Sequence, residues 1–343
     1  MFKIASLALP IIALSTAALA QEKTLYLGGS GGSIEEAFRT SILQDYEKKT
    51  GVKVEYVTGN STDLLAKLQA GKSNQQLDVV FLDDGPMAQA VELGFCKELE
   101  TAAVYDDLVS IAKSKDGKSA LMSLIGTGLV YNKDYFASQG WEAPSSWDDL
   151  KDKKFSKKIV VPPINNTYGL IALVAAARQS GGGETSIDAG FDAFANEIGP
   201  NVLTYEPSPG KMSELFQSGQ AVLGVWGTSR AKVIAESGFP MGFVYPKEGG
   251  YAIGVAICPV AGGQDKPEAQ GLIQHILSQE SQRTLAVTAA LGPVNSKVEL
   301  KPEEQKGIPY GSDQISQLKV IDWPTVNRER EQWNRRWTRE IER

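Results

Sequence analysis

The sequence predicts an α/β protein with two lobes and a ligand cleft between them, each lobe a mostly parallel sheet flanked by helices. Strand-like runs that begin at 24, 52 and 77 alternate with helical patterns, which is typical of parallel strands joined by crossover helices. Between 220 and 259, a strand, a helix and two further extended runs follow one another, and extended runs suit a chain that crosses between lobes. A chain of 343 residues usually divides into lobes of roughly 100 to 200 residues.

Residues 1–20 have the layout of a secretory signal peptide. One charge at Lys3 precedes a mostly apolar stretch at 4–14, and small residues end at Ala20. We expect cleavage before Gln21. The stretch is too short for a membrane span, and no other apolar run approaches about 18 residues. The mature chain is therefore predicted to be soluble and to reside in the periplasm.

The charge of the chain argues against several kinds of partner. Without the predicted signal peptide it carries 34 basic and 41 acidic residues, a net charge of −7, which disfavours nucleic acid and anionic membranes. Cys96 and Cys258 could form a disulfide in an oxidising compartment or stay as two separate buried thiols. Both possibilities remain open, because the sequence does not fix the distance between them.

A glycine-rich turn at 28–33 opens the first helical pattern. Free backbone N–H groups in such a turn can receive a polar or anionic ligand group, which makes Ser30 and Gly31 candidate ligand-binding residues. The alternative is that the glycines only allow the turn to close. The spacing matches neither the phosphate-binding nor the dinucleotide fingerprint, so we predict no nucleotide cofactor.

Asp83 and Asp84 stand at the end of the strand that begins at 77. Ligands of parallel sheets bind outside the carboxyl ends of strands, where two carboxylates could balance an ammonium group or hold a metal. The alternative is that one carboxylate caps the next segment and the other is solvated. We favour that alternative for Asp84, keep Asp83 as a candidate for the cleft, and predict no metal site.

Polar residues also follow two later strands. Asn165, Thr167 and Tyr168 stand at the head of an apolar helix, where helix capping alone explains an amide or a hydroxyl; they would also lie at the cleft. Trp226 and Arg230 follow the apolar run 221–225. A guanidinium that faces the cleft suits a carboxylate or phosphonate, whereas one on an exposed helix face would have no ligand role.

The order of several motifs resembles the family 1 extracellular solute-binding proteins, the periplasmic receptors of ABC importers, and most closely their spermidine/putrescine-binding branch. The motifs are ALMSLIGTGLVYNKDYF at 120–136, VWGTSR at 225–230 and VYPKEGG at 244–250. The resemblance implies the two-lobed periplasmic-binding-protein fold and membrane permease subunits as partners of a monomer. It assigns 21–122 and 247–300, with both cysteines, to one lobe, and 123–246 and 301–343 to the other.

Two departures from the polyamine-binding members concern the ligand. Those members carry acidic residues near the position of Asn165 and Asn166, which have no charge to neutralise an amine. They also carry a Trp and an Asp after the PKEGG turn, where this chain has no carboxylate at 251–254. Tyr251 is the candidate that replaces the aromatic part.

Two other residues indicate a ligand with an anionic group. Trp226 matches the family's cleft tryptophan, and Arg230 would repel a polyamine. A small zwitterion such as a γ-amino acid fits best, with its anion at Arg230 or at the Asn165 helix end and its ammonium near Asp83 and Trp226. A purely anionic ligand and a polyamine are the alternatives.

A secreted hydrolase is the alternative from another class of function. His275, the single histidine, lies in an apolar helical stretch, and the two cysteines have no evident catalytic partner. A glycosidase pair of Asp83 and Glu206 has no support from spacing. We therefore predict a receptor and not an enzyme.

Overall fold

The computed structural model describes residues 24–72, 74–263 and 266–342, with the side chains of 312 and 313 left out. Within these ranges nine strands form one sheet. The strands are β1 Thr24–Gly29, β2 Lys53–Thr58, β3 Val79–Asp83, β4 Ala120–Asn132, β5 Ile159–Val161, β6 Val202–Tyr205, β7 Leu223–Gly227, β8 Met241–Val244 and β9 Tyr251–Pro259.

Helices cover both faces of the sheet, joined by short 3₁₀ turns and by π-helical segments at Phe38–Ile42 and Phe194–Ile198. The α-helices are α1 Ser33–Ala37, α2 Leu43–Thr50, α3 Ser61–Ala70, α4 Asp84–Glu92, α5 Lys133–Ser138, α6 Thr167–Gln179, α7 Asp188–Ala193, α8 Pro209–Gln217, α9 Thr228–Glu236, α10 Pro267–Leu277, α11 Gln279–Ala289, α12 Pro302–Gln305, α13 Ser312–Ser316 and α14 Trp323–Glu340.

The sheet has two halves that meet at β4. The strand order is β2-β1-β3-β9-β4-β7-β5-β6, with β8 also paired to β4. We call β2, β1, β3 and β9 the first half, and β7, β5, β6 and β8 the second half. Within each half the βαβ units pair in parallel, as predicted: β1 with β2 and β3, and β5 with β6 and β7.

β4 and β9 add antiparallel pairing where the chain passes between the halves. β4 pairs with β9 over 120–127 and with β7 and β8 over 127–132, antiparallel in each case. A strand of 13 residues therefore belongs to both halves. The predicted lobe boundaries at 122/123 and 246/247 fall within β4 and between β8 and β9, and the lobe limits themselves stay a prediction.

Helix α14 contacts both halves of the molecule. Its Trp337 ring lies 4.9 Å from Phe194 and 5.1 Å from Tyr205, measured between ring centroids. At its other end, Asn327 donates to the Gly85 carbonyl at 3.0 Å. Trp333 and Trp337 are both buried, as their four-residue spacing on one helix face predicts.

Cys96 and Cys258 form a disulfide with Cα atoms 5.7 Å apart. Cys258 lies on β9 opposite Val80 of β3, so the disulfide links the segment that follows α4 to the first half of the sheet. The sequence left this pairing open, and the structure supplies the proximity that a disulfide requires.

The predicted signal peptide, 1–20, lies outside the described residues. Within the described ranges, no helix combines the length and apolar content that crossing a bilayer demands.

Candidate ligand-binding site

A cavity of about 200 Å³ lies between the two halves of the sheet, and we call it the cleft cavity. Its walls are the ends of β1, β3 and β7 and the segments that open α3, α6 and α9. Six of the predicted site residues line it: Ser30, Gly31, Asp83, Tyr168, Trp226 and Arg230.

The cleft cavity is not the largest concavity of the molecule. A groove of about 910 Å³ runs between α14 and the β5-β6 edge, lined by Asn165, Tyr205 and Trp337 among others. We place the ligand in the smaller cavity, because a buried guanidinium and a half-buried carboxyl group, both with shifted pKa values, converge there, and such groups cluster at functional sites.

Arg230 reaches across the cleft from the second half to the first. As the third residue of α9, it donates from Nη2 to the Gly31 carbonyl at 2.8 Å and from Nη1 to Ser33 Oγ at 3.0 Å. The residue is 8% exposed, and no carboxylate of the described residues forms an ion pair with it. Burial lowers the pKa of its guanidinium, and neighbouring Tyr168, Tyr56 and Asp83 oppose that shift.

The backbone conformation at Gly32, beside this arginine, favours glycine. Its φ of 74° is in the left-handed region that favours glycine. A side chain there would also place a Cβ 2.5 Å from Arg230 Nη1. The Gly31 carbonyl of the glycine-rich turn accepts from a cation of the protein itself, and a ligand group at Ser30 and Gly31 stays a prediction.

Asp83 ends β3 and meets the second half of the sheet through Thr167. The Thr167 hydroxyl donates to Asp83 Oδ2, and the Asp83 backbone N–H donates to Ser61 Oγ at 2.9 Å. Burial raises the pKa of the Asp83 carboxyl, while Thr167, Ser61, Arg330 and Arg230 act in the opposite direction. Among the described residues that line the cleft cavity, Asp83 is the single acid.

The Asp84 carboxylate accepts from the Gly85 N–H at the start of α4, at 3.1 Å from Oδ1, which is the local capping role that the sequence left open for one of the two acids. It is half-buried beside Trp323, whose side chain hydrogen-bonds to it, and burial raises the pKa of its carboxyl to about 7. It does not line the cleft cavity. The reason lies far along the chain, because Trp323 of α14 covers the start of α4 and leaves no room for a Cβ at Gly85.

Trp226 and Tyr168 form an aromatic wall of the cleft cavity. Trp226 is 1% exposed and belongs to a cluster of apolar residues in the second half. Tyr168 lies against Gly227, where an added Cβ would come within 2.5 Å of the Tyr168 hydroxyl. Burial strongly raises the pKa of Tyr168, so its hydroxyl stays protonated and can donate to an anion.

The three residues before Tyr168 have different roles. Asn166 caps α6 by accepting from the Tyr168 N–H at 3.0 Å, and it lines the cleft cavity. Thr167 binds Asp83. The Asn165 carbonyl accepts from Thr62 Oγ1 at 2.6 Å and from Arg330 Nη2 at 3.3 Å, while the residue lines the larger groove instead of the cleft cavity.

Tyr251 is a predicted site residue that does not join this arrangement. It is fully buried, its ring is 5.8 Å from Trp147 and 5.3 Å from Arg178 Cζ, and it does not line the cleft cavity. As the first residue of β9 it packs into the core next to β4.

Sequence analysis missed Arg330, a buried cation on α14. The signal was present, because Val326, Arg330, Trp333 and Trp337 follow one another at spacings of four, three and four residues. This spacing puts an arginine on the apolar face of an otherwise amphipathic helix. A charge on such a face calls for a partner or a function.

The electrostatic field of the cleft cavity favours an anion. The helices α3, α6 and α9 have 10, 13 and 9 residues and begin at its wall. Helix N-termini carry partial positive charge, and Arg230 adds a full one. Asp83 supplies a negative charge in the same lining, so the site can hold groups of both signs.

Comparisons with known proteins identify the family of this chain. The family model for bacterial extracellular solute-binding proteins matches residues 41–309. The spermidine/putrescine-binding periplasmic protein 1 of Haemophilus influenzae is 23% identical over 275 residues, which cover 78% of this chain and 74% of that protein. A Salmonella typhimurium periplasmic protein named for 2-aminoethylphosphonate binding is 25% identical over 270 residues, covering 76% and 75%.

A solved structure gives the same result for the fold. The structure of an ABC transporter protein from Clostridium perfringens superposes with a TM-score of 0.72 and 26% identity, covering 92% of this chain and 99% of that one. The predicted α/β, two-lobed fold and the resemblance to solute-binding proteins are thus confirmed. The chain belongs to the bacterial extracellular solute-binding proteins, the small-molecule receptors of ABC transporters.

Proposed function

We propose that the cleft cavity binds a small zwitterion, such as a γ-amino acid or an aminoalkylphosphonate, with the anionic group at Arg230 and the ammonium group beside Asp83 and Trp226. One observation carries the proposal. The cavity brings together a buried arginine that has no acidic partner among the described residues and a single, half-buried carboxylate, Asp83.

The anionic end is assigned from the present partners of Arg230. A carbonyl and a hydroxyl give it hydrogen bonds but no opposite charge, and a desolvated charge is strongly stabilised when a counter-charge joins it. A carboxylate or phosphonate that takes the place of the Gly31 carbonyl would form a bidentate pair with the guanidinium. Tyr168 offers a further hydroxyl donor on the same wall.

The ammonium end is assigned from Asp83 and the aromatic wall. Asp83 offers one carboxylate, and Trp226 offers an indole face, which attracts a cation. A diamine needs a second acid, which the described lining does not contain, and its other amine would meet Arg230. A relative named for polyamine binding shares this fold, but the charges of this cavity favour one positive and one negative ligand group.

Delivery follows from closure of the two predicted lobes, 21–122 with 247–300 and 123–246 with 301–343. Contacts between Arg230 and Gly31 and between Thr167 and Asp83 already join the two sides of the cavity. A ligand that bridges the same groups favours the closed form, which the membrane permease recognises. We further propose that the receptor acts as a monomer in the periplasm after cleavage before Gln21.

Calorimetry and thermal shift on the mature protein test this assignment. The probes are 4-aminobutanoate, 2-aminoethylphosphonate, putrescine, spermidine and succinate, because a ligand of the folded state raises the melting temperature. We expect binding of one or both zwitterions at one per chain, without turnover, and none of putrescine. Binding of polyamines alone would contradict the proposal.

A further inference from the structure

Thr62 joins the two halves of the molecule beside the cleft cavity. Its Oγ1 donates to the Asn165 carbonyl at 2.6 Å. The adjacent residues in sequence, Ser61 and Asn166, line the cavity. Thr62 and Asn165 do not line it, so this hydrogen bond lies next to the proposed ligand site and not within it.

The two groups of this hydrogen bond belong to different halves. Thr62 lies in the first turn of α3, which packs on β1 and β3 of the first half. Asn165 stands two residues before α6, which packs on β5 and β7 of the second half. A hinge movement that opens the cleft would therefore separate the Thr62 hydroxyl from the Asn165 carbonyl.

The surroundings of the hydrogen bond set how much it stabilises the closed form. Thr62 is half-buried and the bond is open to solvent, so water would hydrate both groups once the halves separate. The closed form then gains the net free energy of one hydrogen bond, a factor of about two to ten in the equilibrium between closed and open forms. Arg330 Nη2 also donates to the Asn165 carbonyl, at 3.3 Å, so loss of the Thr62 hydroxyl leaves that carbonyl with a donor.

We propose that Thr62 is an affinity-determining residue of this receptor, which stabilises the closed form without contacting the ligand. The proposal rests on the proposed function in one respect, since it needs lobes that close on a ligand in the cleft cavity. A ligand that enters the open form is retained longer by every contact that only the closed form makes. Thr62 therefore slows ligand release and leaves the preference between ligands unchanged, whereas a residue of the cavity lining changes that preference.

The test measures dissociation constants by calorimetry, and release rates by stopped-flow tryptophan fluorescence, for 4-aminobutanoate and 2-aminoethylphosphonate with the full mature protein. Thr62→Val keeps the shape of the side chain and removes the hydroxyl. We expect it to weaken both ligands by the same factor, about two to ten, through faster release with an unchanged association rate. Thr62→Ser keeps the hydroxyl and should bind both ligands within about twofold of the natural protein.

Thr40→Val is the matched control. The Thr40 hydroxyl also donates to a backbone carbonyl, that of Glu36 at 2.7 Å, but both residues lie in one helical stretch of the first half. The substitution removes the same kind of hydrogen bond within one half, so both dissociation constants should stay unchanged. Unchanged dissociation constants in Thr62→Val, an equal loss in Thr40→Val, or losses that differ more than about threefold between the two ligands would overturn the proposal.

Two outcomes separate this inference from the proposed function. If both zwitterions bind and depend on Arg230 while Thr62→Val behaves like the natural protein, only the role of Thr62 is lost. If neither zwitterion binds, the proposed ligand class fails, and small-angle X-ray scattering of the ligand-free protein tests Thr62 instead. Thr62→Val should then have a larger radius of gyration than the natural protein and Thr40→Val, and equal radii would refute the role.

Discussion

Arg178 and Arg230 are two enclosed arginines that the fold holds in opposite ways. Arg178 binds Glu184 with two nitrogens, at 3.2 Å from Nε and 2.5 Å from Nη2, and lies over the Tyr251 ring. Arg230 is held by a carbonyl and a hydroxyl. The charge of the Arg178 guanidinium is already balanced by a carboxylate of the protein, whereas the Arg230 guanidinium, held by neutral groups, can still gain a counter-charge. The comparison assigns Arg178 to structure and Arg230 to the ligand.

Substitution of each of these two arginines should give the largest effects, on binding in one case and on stability in the other. Arg230→Gln should weaken zwitterion binding by about 100-fold or more, because a desolvated charge pair with the ligand is lost. Arg178→Gln should leave the dissociation constant unchanged but lower the free energy of unfolding by about 2 kcal/mol, since Glu184 stays buried without its partner. Calorimetry measures the dissociation constant of both variants, and urea unfolding measures their free energy of unfolding. Equal losses of affinity in the two variants would contradict the assignment of Arg230 alone to the ligand.

Asp84 extends the comparison from arginines to an acid. Its carboxyl group is half-buried and has no cationic partner among the described residues. Its folded pKa of about 7 exceeds the ordinary value of 3.8, so its contribution to stability is complete below pH 3.8 and is lost as pH rises through 7. Between pH 5 and pH 8 the natural protein should therefore lose about 2 kcal/mol more than Asp84→Asn. Urea unfolding at both pH values measures this difference.

The exposed acid Asp192 provides the control for that measurement. Asp192→Asn should keep the pH dependence of the natural protein. If Asp84→Asn behaves in the same way, the carboxyl of Asp84 is not desolvated in solution.

Substitution of Tyr251 should show the smallest effect. In the comparison above, this residue belongs with Arg178 to the structure and not to the ligand site. Because Tyr251 packs against Trp147 and Arg178 away from the cleft cavity, Tyr251→Phe should leave zwitterion affinity within about threefold and change the free energy of unfolding by at most about 1 kcal/mol. A tenfold loss of affinity would instead return Tyr251 to the ligand site.

The parts of the site that the sequence could predict are those fixed by local order. Asp83 directly ends a buried strand, and Arg230 is three residues into the helix after the Trp226 strand, so both reach the strand ends where cavities form. The α/β alternation likewise follows from local apolar periods. Ser30 and Gly31 were found for the same reason, although the cation that meets the turn comes from 199 residues away.

The parts that were missed depend on contacts between distant segments. Asp84 is enclosed by Trp323, a contact that leaves no local pattern in the chain. The spacing within α14 indicates that Arg330 is buried, but nothing local shows that it reaches Asn165. Tyr251 was chosen by its position in related proteins, but strand pairing with β4 directs it into the core. Side-chain direction in a strand changes with every residue, so a position in a motif does not fix which face a residue occupies.

A crystal structure of the mature protein with 2-aminoethylphosphonate tests the central claim most directly. The account predicts phosphonate oxygens within about 3 Å of the Arg230 Nη atoms, with the ammonium group on Asp83 against Trp226. A ligand bound elsewhere, or bound in the cleft while Arg230 still donates to the Gly31 carbonyl and touches no ligand atom, would contradict it.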